Sequence, residues 1–301
     1  MTRIAVSGTT GFVGGHLSRW LASQRCIEQP LSRAMLGSSE LRSVLRGANA
    51  VIHLAARAHR LRETAADPAR EFHEANVGAT RVIAQACVTA GVRRLVFVSS
   101  AGVLGNRSPM EGFTDDSPAE PHDDYTRSKL AAEEMLRSEF DEQMEIVVLR
   151  PPMVYGPGAP GNFARIVKAV QSGFPLPIGD LRAPRSLISV RNLCDAMFLA
   201  ATSDIGTVRP MLVADREVTS VAELAAAMAE AMGRRDRTFA VPTQFLAAAL
   251  RLVGRSVDLH RLSEPFVLRG SLASSVMGWS PRFDFASELA WTIQSTSGAV
   301  R

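Results

Sequence analysis

Long apolar runs are missing from this 301-residue chain, and none approaches the ~18 residues that a membrane span needs. Nor do the first residues, Arg3-Ile4-Ala5-Val6-Ser7-Gly8, make a basic segment followed by a cleavable apolar one. They read as a strand entering a turn. Cysteine is scarce: Cys26, Cys87 and Cys194 lie far apart, which excludes a disulfide framework and a Cys-x-x-Cys site. No metal is expected, and the expected location is the cytoplasm. Charge of one sign is lacking too, since 34 basic against 30 acidic residues leave +4. The nearest approach to a basic stripe, Gly233-Arg234-Arg235-Asp236-Arg237, reads as a solvated turn. Nucleic acid is therefore not an expected partner.

Two further scarcities are informative. Only Lys129 and Lys168 are lysine, the other basic residues being arginine, and Tyr125 and Tyr155 are the only tyrosines. A chain that takes its positive charge from arginine has kept a lysine four residues after one of its two tyrosines.

What is present begins with alternation. Apolar stretches at 4–7, 50–54, 95–99 and 145–150 read as buried strands, and helical patterns separate them. One helix starts with Asp67 as N-cap and Pro68 at its first position, and stops near Gly91. Strands alternating with helices predict an α/β fold, a Rossmann-type doubly wound parallel sheet over residues 1–150. After Arg150 the texture turns irregular and rich in proline and glycine. A strand at 186–190 is expected to return to the sheet and 208–213 to form another, so that 186–214 rejoins the first domain. Segments 151–185 and 215–301 form a smaller, mostly helical substrate lobe, with helices at 221–232, 243–253 and 286–293. Such a lobe makes a cleft over the carboxyl ends of the strands, where open α/β sheets bind ligands.

Gly8-Thr9-Thr10-Gly11-Phe12-Val13-Gly14 lies between the first strand and the first helix. Glycines at 8, 11 and 14 allow a tight turn, close approach of a pyrophosphate, and close packing of helix on strand. Phe12 and Val13 sit inside this cofactor-binding turn. The acid usually found ~20 residues beyond, which bonds the adenine ribose, is not evident. Residues 26–33 look too short for a connection plus a second strand, and they end in Ser32-Arg33. Arg33 could hold a 2′-phosphate, which tilts the choice between NAD and NADP toward NADP.

Asp124 to Glu133 reads as a helix start, and positions four apart share a helical face, so Tyr125 and Lys129 can converge. A phenol with a pKa near 10 is a poor base at neutral pH; a neighbouring ammonium stabilises the phenolate and makes proton exchange with an alcohol or ketone feasible. Ser100, just past the 95–99 strand, can hydrogen-bond the reacting oxygen. Ser99 is its rival, although strand alternation points Ser99 the other way.

These residues together resemble the extended short-chain dehydrogenase/reductase superfamily, in particular its nucleotide-sugar epimerase/dehydratase branch. Further carriers of the likeness are His53-Leu54-Ala55-Ala56, Asn76-Val77-Gly78-Ala79-Thr80 and Arg150-Pro151-Pro152-Met153-Val154-Tyr155-Gly156-Pro157-Gly158. The resemblance implies a catalytic triad of Ser100, Tyr125 and Lys129. It also implies cofactor contacts from Ala55, Ala56, Lys129, Pro152 and Val154. Asn162 and Arg185 would contact a substrate diphosphate, alongside Ser100 and Tyr125 at the sugar. Helical faces over 80–90 and 129–136 offer, by analogy, a homodimer surface. One departure matters. Dehydratases of this branch follow the hydroxyl residue with an Asp-Glu pair, whereas Ser100 is followed by Ala101 and Gly102, which cannot exchange protons.

The expected activity is hydride transfer at C4 of a nucleoside-diphosphate sugar, a UDP-hexose or UDP-N-acetylhexosamine derivative, as a 4-epimerase or a 4-ketoreductase. An alternative keeps the fold and reduces a small non-sugar ketone, with no need for Asn162 or Arg185. A non-catalytic dinucleotide sensor would have no use for the Tyr-Lys pair.

Overall fold

Alternation along each strand decides which layers form. In the computed structural model, which describes residues 1–57, 67–242, 244–246 and 263–298, four central strands each bury both faces. They are β1 (Arg3–Ser7), β3 (Ala50–His53), β4 (Arg94–Val98) and β5 (Glu145–Arg150). Ile4, Val6, Ala50, Ile52, Val96, Val98, Val147 and Leu149 point to one side, and Ala5, Val51, Leu95, Phe97, Ile146 and Val148 to the other. Strands buried on both faces need helices on both faces. Helix α1 (Phe12–Ser23) supplies Leu17 and Leu21 to the first side, joined by α7 (Val190–Thr202). The second side is covered by α2 (Ser39–Leu45), α4 (Ala79–Ala90) and α5 (Asp124–Phe140).

The six-stranded sheet runs β2-β1-β3-β4-β5-β8, all parallel, with β2 at Ile27–Leu31 and β8 at Met211–Leu212. The second strand thus exists, contrary to the expectation that residues 26–33 are too short for one. Arg25, with φ 56°, turns the chain straight out of α1, and Pro30 is tolerated because β2 is an edge strand that pairs only with β1. The chain leaves β1 toward β2 and returns past it to β3, so the order reverses at the carboxyl ends of β1 and β3, where such sheets open a crevice.

A second expectation is corrected as well. The strand near 186–190, β7 (Arg185–Ser189), does not join the main sheet. It pairs with β6 (Met153–Tyr155) and β9 (Val218–Thr219) in a separate three-stranded sheet. Its inward residue Leu187 packs with Tyr155 and Phe163, a cluster of the second lobe. That lobe also holds α6 (Gly161–Ser172), α8 (Val221–Ala231) and α10 (Phe285–Gly298), whereas α9 (Leu272–Met277), expected there too, packs Ala273 and Met277 against the main-sheet core beside β8. The helix expected at 243–253 lies outside the described residues except at 244–246. The helix that starts at Asp67 is α3 (Pro68–His73), with Asp67 accepting from the Arg70 N–H at 3.1 Å. It runs through a π turn at Glu74–Gly78 into α4, which ends on left-handed Gly91.

Candidate active site

At the end of β1 the backbone has little room. Gly8 has φ 79°, and a Cβ there would lie 2.8 Å from the Ala55 nitrogen; at Gly14 a Cβ would lie 2.1 Å from the Gly8 carbonyl oxygen. Only glycine lets α1 start this close to β1 and β3. The N-cap of α1 is Gly11, with no side-chain cap and no acid in the first turn. Its free N–H groups and positive helix end therefore remain available to an anion.

Facing this turn is a pocket of about 540 Å³, lined by Gly8 to Gly11, Ser32, Arg33, Leu54, Ala55 and Ala56 among others. Among the described residues no carboxylate lines it, and Arg33 stands at its rim, exposed. Glu28, the one acid of β2, is turned to Ser18 at 2.7 Å. These walls fit a dinucleotide: glycine backbone for a pyrophosphate and short side chains for a ribose and base. Phe12 and Val13 turn their side chains into the core, so the cofactor turn offers backbone at these positions. Val154 likewise packs against the core from β6.

His53 props this pocket and was not singled out for that role in the sequence. Thr80 Oγ1 donates to the Asn76 carbonyl, so it accepts from His53 Nε2 at 2.9 Å. Nδ1 then accepts from the Ser7 hydroxyl, whose oxygen accepts from the Leu54 and Ala55 N–H groups at 3.2 Å. Burial, aided by the Lys129 charge, holds the imidazole neutral, with a pKa near 3.

On the neighbouring strands lies a second cavity of about 380 Å³. It gathers Ser100 and Pro152 from just beyond β4 and β5, Tyr125 from α5, Asn162 from α6 and Arg185 from β7, with Asp123, His122 and Thr126 beside them. Ser100 caps the short turn Ala101–Leu104, its Oγ accepting from Gly102 N–H at 3.1 Å. Ser99, the rival, is buried and is not among the residues that line this cavity. Tyr125 is placed by a capping box: Asp123 Oδ1 accepts from the Thr126 N–H at 2.8 Å while Thr126 Oγ1 reaches the Asp123 N–H. Asn162 sits in the first turn of α6. Arg185 donates to the Glu264 carbonyl at 2.8 Å and lies over the Phe266 ring, which pre-orients its fork.

Lys129 shares the Tyr125 face of α5 but is turned to the sheet. It is 2% exposed, donates to the Val98 carbonyl at 2.8 Å, and lies 4.6 Å from the Phe97 ring centroid. Burial pulls the ammonium down to about 8, with Glu133 acting against it. The phenol of Tyr125 is pushed up to about 12 by burial and by Asp123. Burial and Asp123 together outweigh whatever Lys129, whose ammonium is aimed at the Val98 carbonyl, contributes in the opposite direction.

At Gly102 a Cβ would lie 2.9 Å from Thr126 and 3.3 Å from Ser100 Oγ. A side chain at this position would press on Thr126 and Ser100, so the wall is shaped for glycine here. Among the described residues no cluster of His, Cys, Asp or Glu could hold a metal, and no helix is long and apolar enough to cross a membrane.

Known proteins resemble this chain in sequence and fold. The chain is 31% identical over 299 residues to UDP-glucose 4-epimerase from Vibrio cholerae, covering 92% of this chain and 90% of that protein. It is 29% identical to UDP-glucose 4-epimerase from Mycolicibacterium smegmatis, over 81% of this chain and 74% of that one. Among solved structures, MoeE5 in complex with UDP-glucuronic acid and NAD superposes with a TM-score of 0.77 at 25% identity, over 99% of both chains. Residues 4–214 match the family model for NAD-dependent epimerases and dehydratases. With its glycine turn, parallel sheet and paired cavities, the chain belongs to the NAD-dependent epimerase/dehydratase family.

Proposed function

We propose that this protein is a UDP-sugar 4-epimerase, acting on a UDP-hexose or UDP-N-acetylhexosamine. The observation that carries this reading is the joint presence of Ser100, Tyr125, Asn162 and Arg185 around one cavity beside the glycine-turn pocket. A sugar nucleotide needs a reacting end and an anion-holding end, and the two pairs supply them. When bound, a nicotinamide dinucleotide supplies an acceptor and donor of hydride. The Gly8, Gly11 and Gly14 turn would hold its pyrophosphate, with Ala55 and Ala56 along its length and Pro152 and Val154 toward the reacting end. Arg33 would meet the adenine ribose and favours a 2′-phosphate there.

Tyr125 exchanges its hydroxyl proton with the C4 oxygen of the sugar, and Ser100 hydrogen-bonds the same oxygen. Lys129 favours the phenolate while the proton is in transit and holds the cofactor ribose. Asn162 and Arg185 bind the diphosphate, for which an amide and a guanidinium fork are suited. The 31% identity to a UDP-glucose 4-epimerase along nearly the whole chain supports epimerisation over reduction alone. Incubation with UDP-glucose and UDP-N-acetylglucosamine, followed by NMR, should show inversion at C4. Absence of turnover with every UDP-sugar offered would remove the reading.

A further inference from the structure

Behind the candidate active site, on the same row as two of its residues, lies a buried ion pair, Glu133 with Arg150, that the proposed chemistry does not use. Tyr125, Lys129 and Glu133 follow at four-residue intervals on α5 and so share one face. Glu133 is 5% exposed and Arg150 is 7%. Arg150 Nε donates to both Glu133 oxygens, at 3.1 and 3.2 Å, and its Nη2 donates to Oε2 as well. Arg150 ends β5, directly before Pro151 and the cavity residue Pro152. A buried pair of this kind adds little net stability, because desolvating both ions costs about as much as their attraction returns. Its place in the row points to another use.

The groups around Lys129 come from several elements. From β4 come the Val98 carbonyl and the Phe97 ring, and from β3 the neutral His53. From α5 come Tyr125 and Glu133, with Arg150 of β5 beyond Glu133. On α3, Glu71 is paired with Arg57, and on α4 Arg81 with Glu139. Glu133 is therefore the anion of the row, and it opposes the loss of the ammonium charge that burial imposes.

We propose that Glu133, clamped by Arg150, is a positioning residue that keeps Lys129 in its ammonium form inside this dry wall, and through Lys129 governs the charge at Tyr125. The importance of Lys129 for catalysis rests on the proposed function; the control of its charge by Glu133 does not. Arg150 fixes the carboxylate in place by two-pronged contact.

Two lysines in the chain make the test direct. Lysine labelled with 13C at Cε gives one signal from Lys129 and one from Lys168, and each is followed through a pH titration. In Glu133→Gln the Lys129 midpoint should fall by roughly one pH unit, while that of Lys168 stays. That variant leaves a guanidinium without its carboxylate, so Glu133→Gln/Arg150→Gln serves as the second. There the midpoint should fall by less, because repulsion from Arg150 is gone too. An unchanged Lys129 midpoint in whichever variant folds overturns the proposal. Activity is read separately: wild-type protein inactive on every UDP-sugar overturns the proposed function and leaves the titration standing. With activity present, the alkaline limb of kcat should move to lower pH in Glu133→Gln at unchanged KM. A limb that stays while the midpoint moves removes the link from Lys129 to Tyr125.

Discussion

The pocket at the glycine turn is walled by backbone and short side chains from three adjacent strand ends, whereas the cavity at Tyr125 is walled by side chains brought together from both lobes. In the first, sterics dictate residue type: a Cβ at Gly14 collides with a carbonyl. In the second, the fold fixes positions and leaves the chemistry to particular side chains. Substitutions should therefore fail in different ways in the two places, through folding and cofactor binding in one and through turnover in the other.

The largest effect is expected at the cavity. Tyr125→Phe should lower kcat for UDP-sugar by ~10³-fold, within the range for losing a positioned acid–base group, while NAD binding measured by calorimetry stays as in the wild type. Equal loss of cofactor binding would erase the distinction between the two regions. At the turn, Gly14→Ala should lower unfolding stability by about 3 kcal/mol through overpacking and weaken NAD binding in the folded fraction; urea unfolding with and without NAD reads both. Next in size is Arg185→Ala, expected to raise KM for UDP-sugars by roughly 10- to 100-fold at similar kcat, the scale of a lost charge-assisted contact. An unchanged KM would favour a small non-sugar ketone as substrate.

The smallest effect separates the two regions by pH. His53 is held neutral near the glycine turn, its pKa taken down to about 3 from an ordinary value near 6.5, first by burial and then by Lys129. Its contribution to stability is whole above about pH 6.5 and is lost as pH falls. Asp215, in the seam of β6 and β7, accepts from Tyr155, Asn192 and Ser189 and is pushed up to about 7 by burial. Its contribution is whole below about pH 4 and is lost as pH rises toward 7. Between about pH 4 and 6.5 the two slopes oppose each other, each at most about 1.4 kcal/mol per pH unit. Relative to wild type, His53→Gln should leave stability that falls with rising pH, and Asp215→Asn stability that rises. Urea unfolding at three pH values across that window checks both signs.

Much of the fold was legible because it rests on periodicity. Buried strands at 50–54, 95–99 and 145–150 and the Asp67-Pro68 helix start are local patterns, and local patterns survive folding. The partner of a strand is not local. Nothing in residues 185–189 distinguishes pairing with the main sheet from pairing with Met153–Tyr155, and β2 is hidden because residues 26–33 look too short for a connection plus a strand, whereas a single left-handed residue, Arg25, makes the connection. At the site, the spacing of Tyr125 and Lys129 located both on one helix, and the strand end located Ser100. The direction of the Lys129 ammonium could not be read, since it depends on the Val98 carbonyl 31 positions away. Nor could the Glu133–Arg150 clamp, which spans α5 and β5. The Asp123-x-x-Thr126 capping pattern was the missed local signal.

In the proposed reaction the carbon bearing the oxygen at Tyr125 is C4 of a sugar nucleotide, and its hydrogen leaves and returns without meeting water. UDP-glucose and UDP-N-acetylglucosamine carrying deuterium at C4 test this most directly. At least one should give the C4 epimer with the label still at C4. Label lost to solvent from the product, or both compounds recovered unchanged, would contradict this reaction.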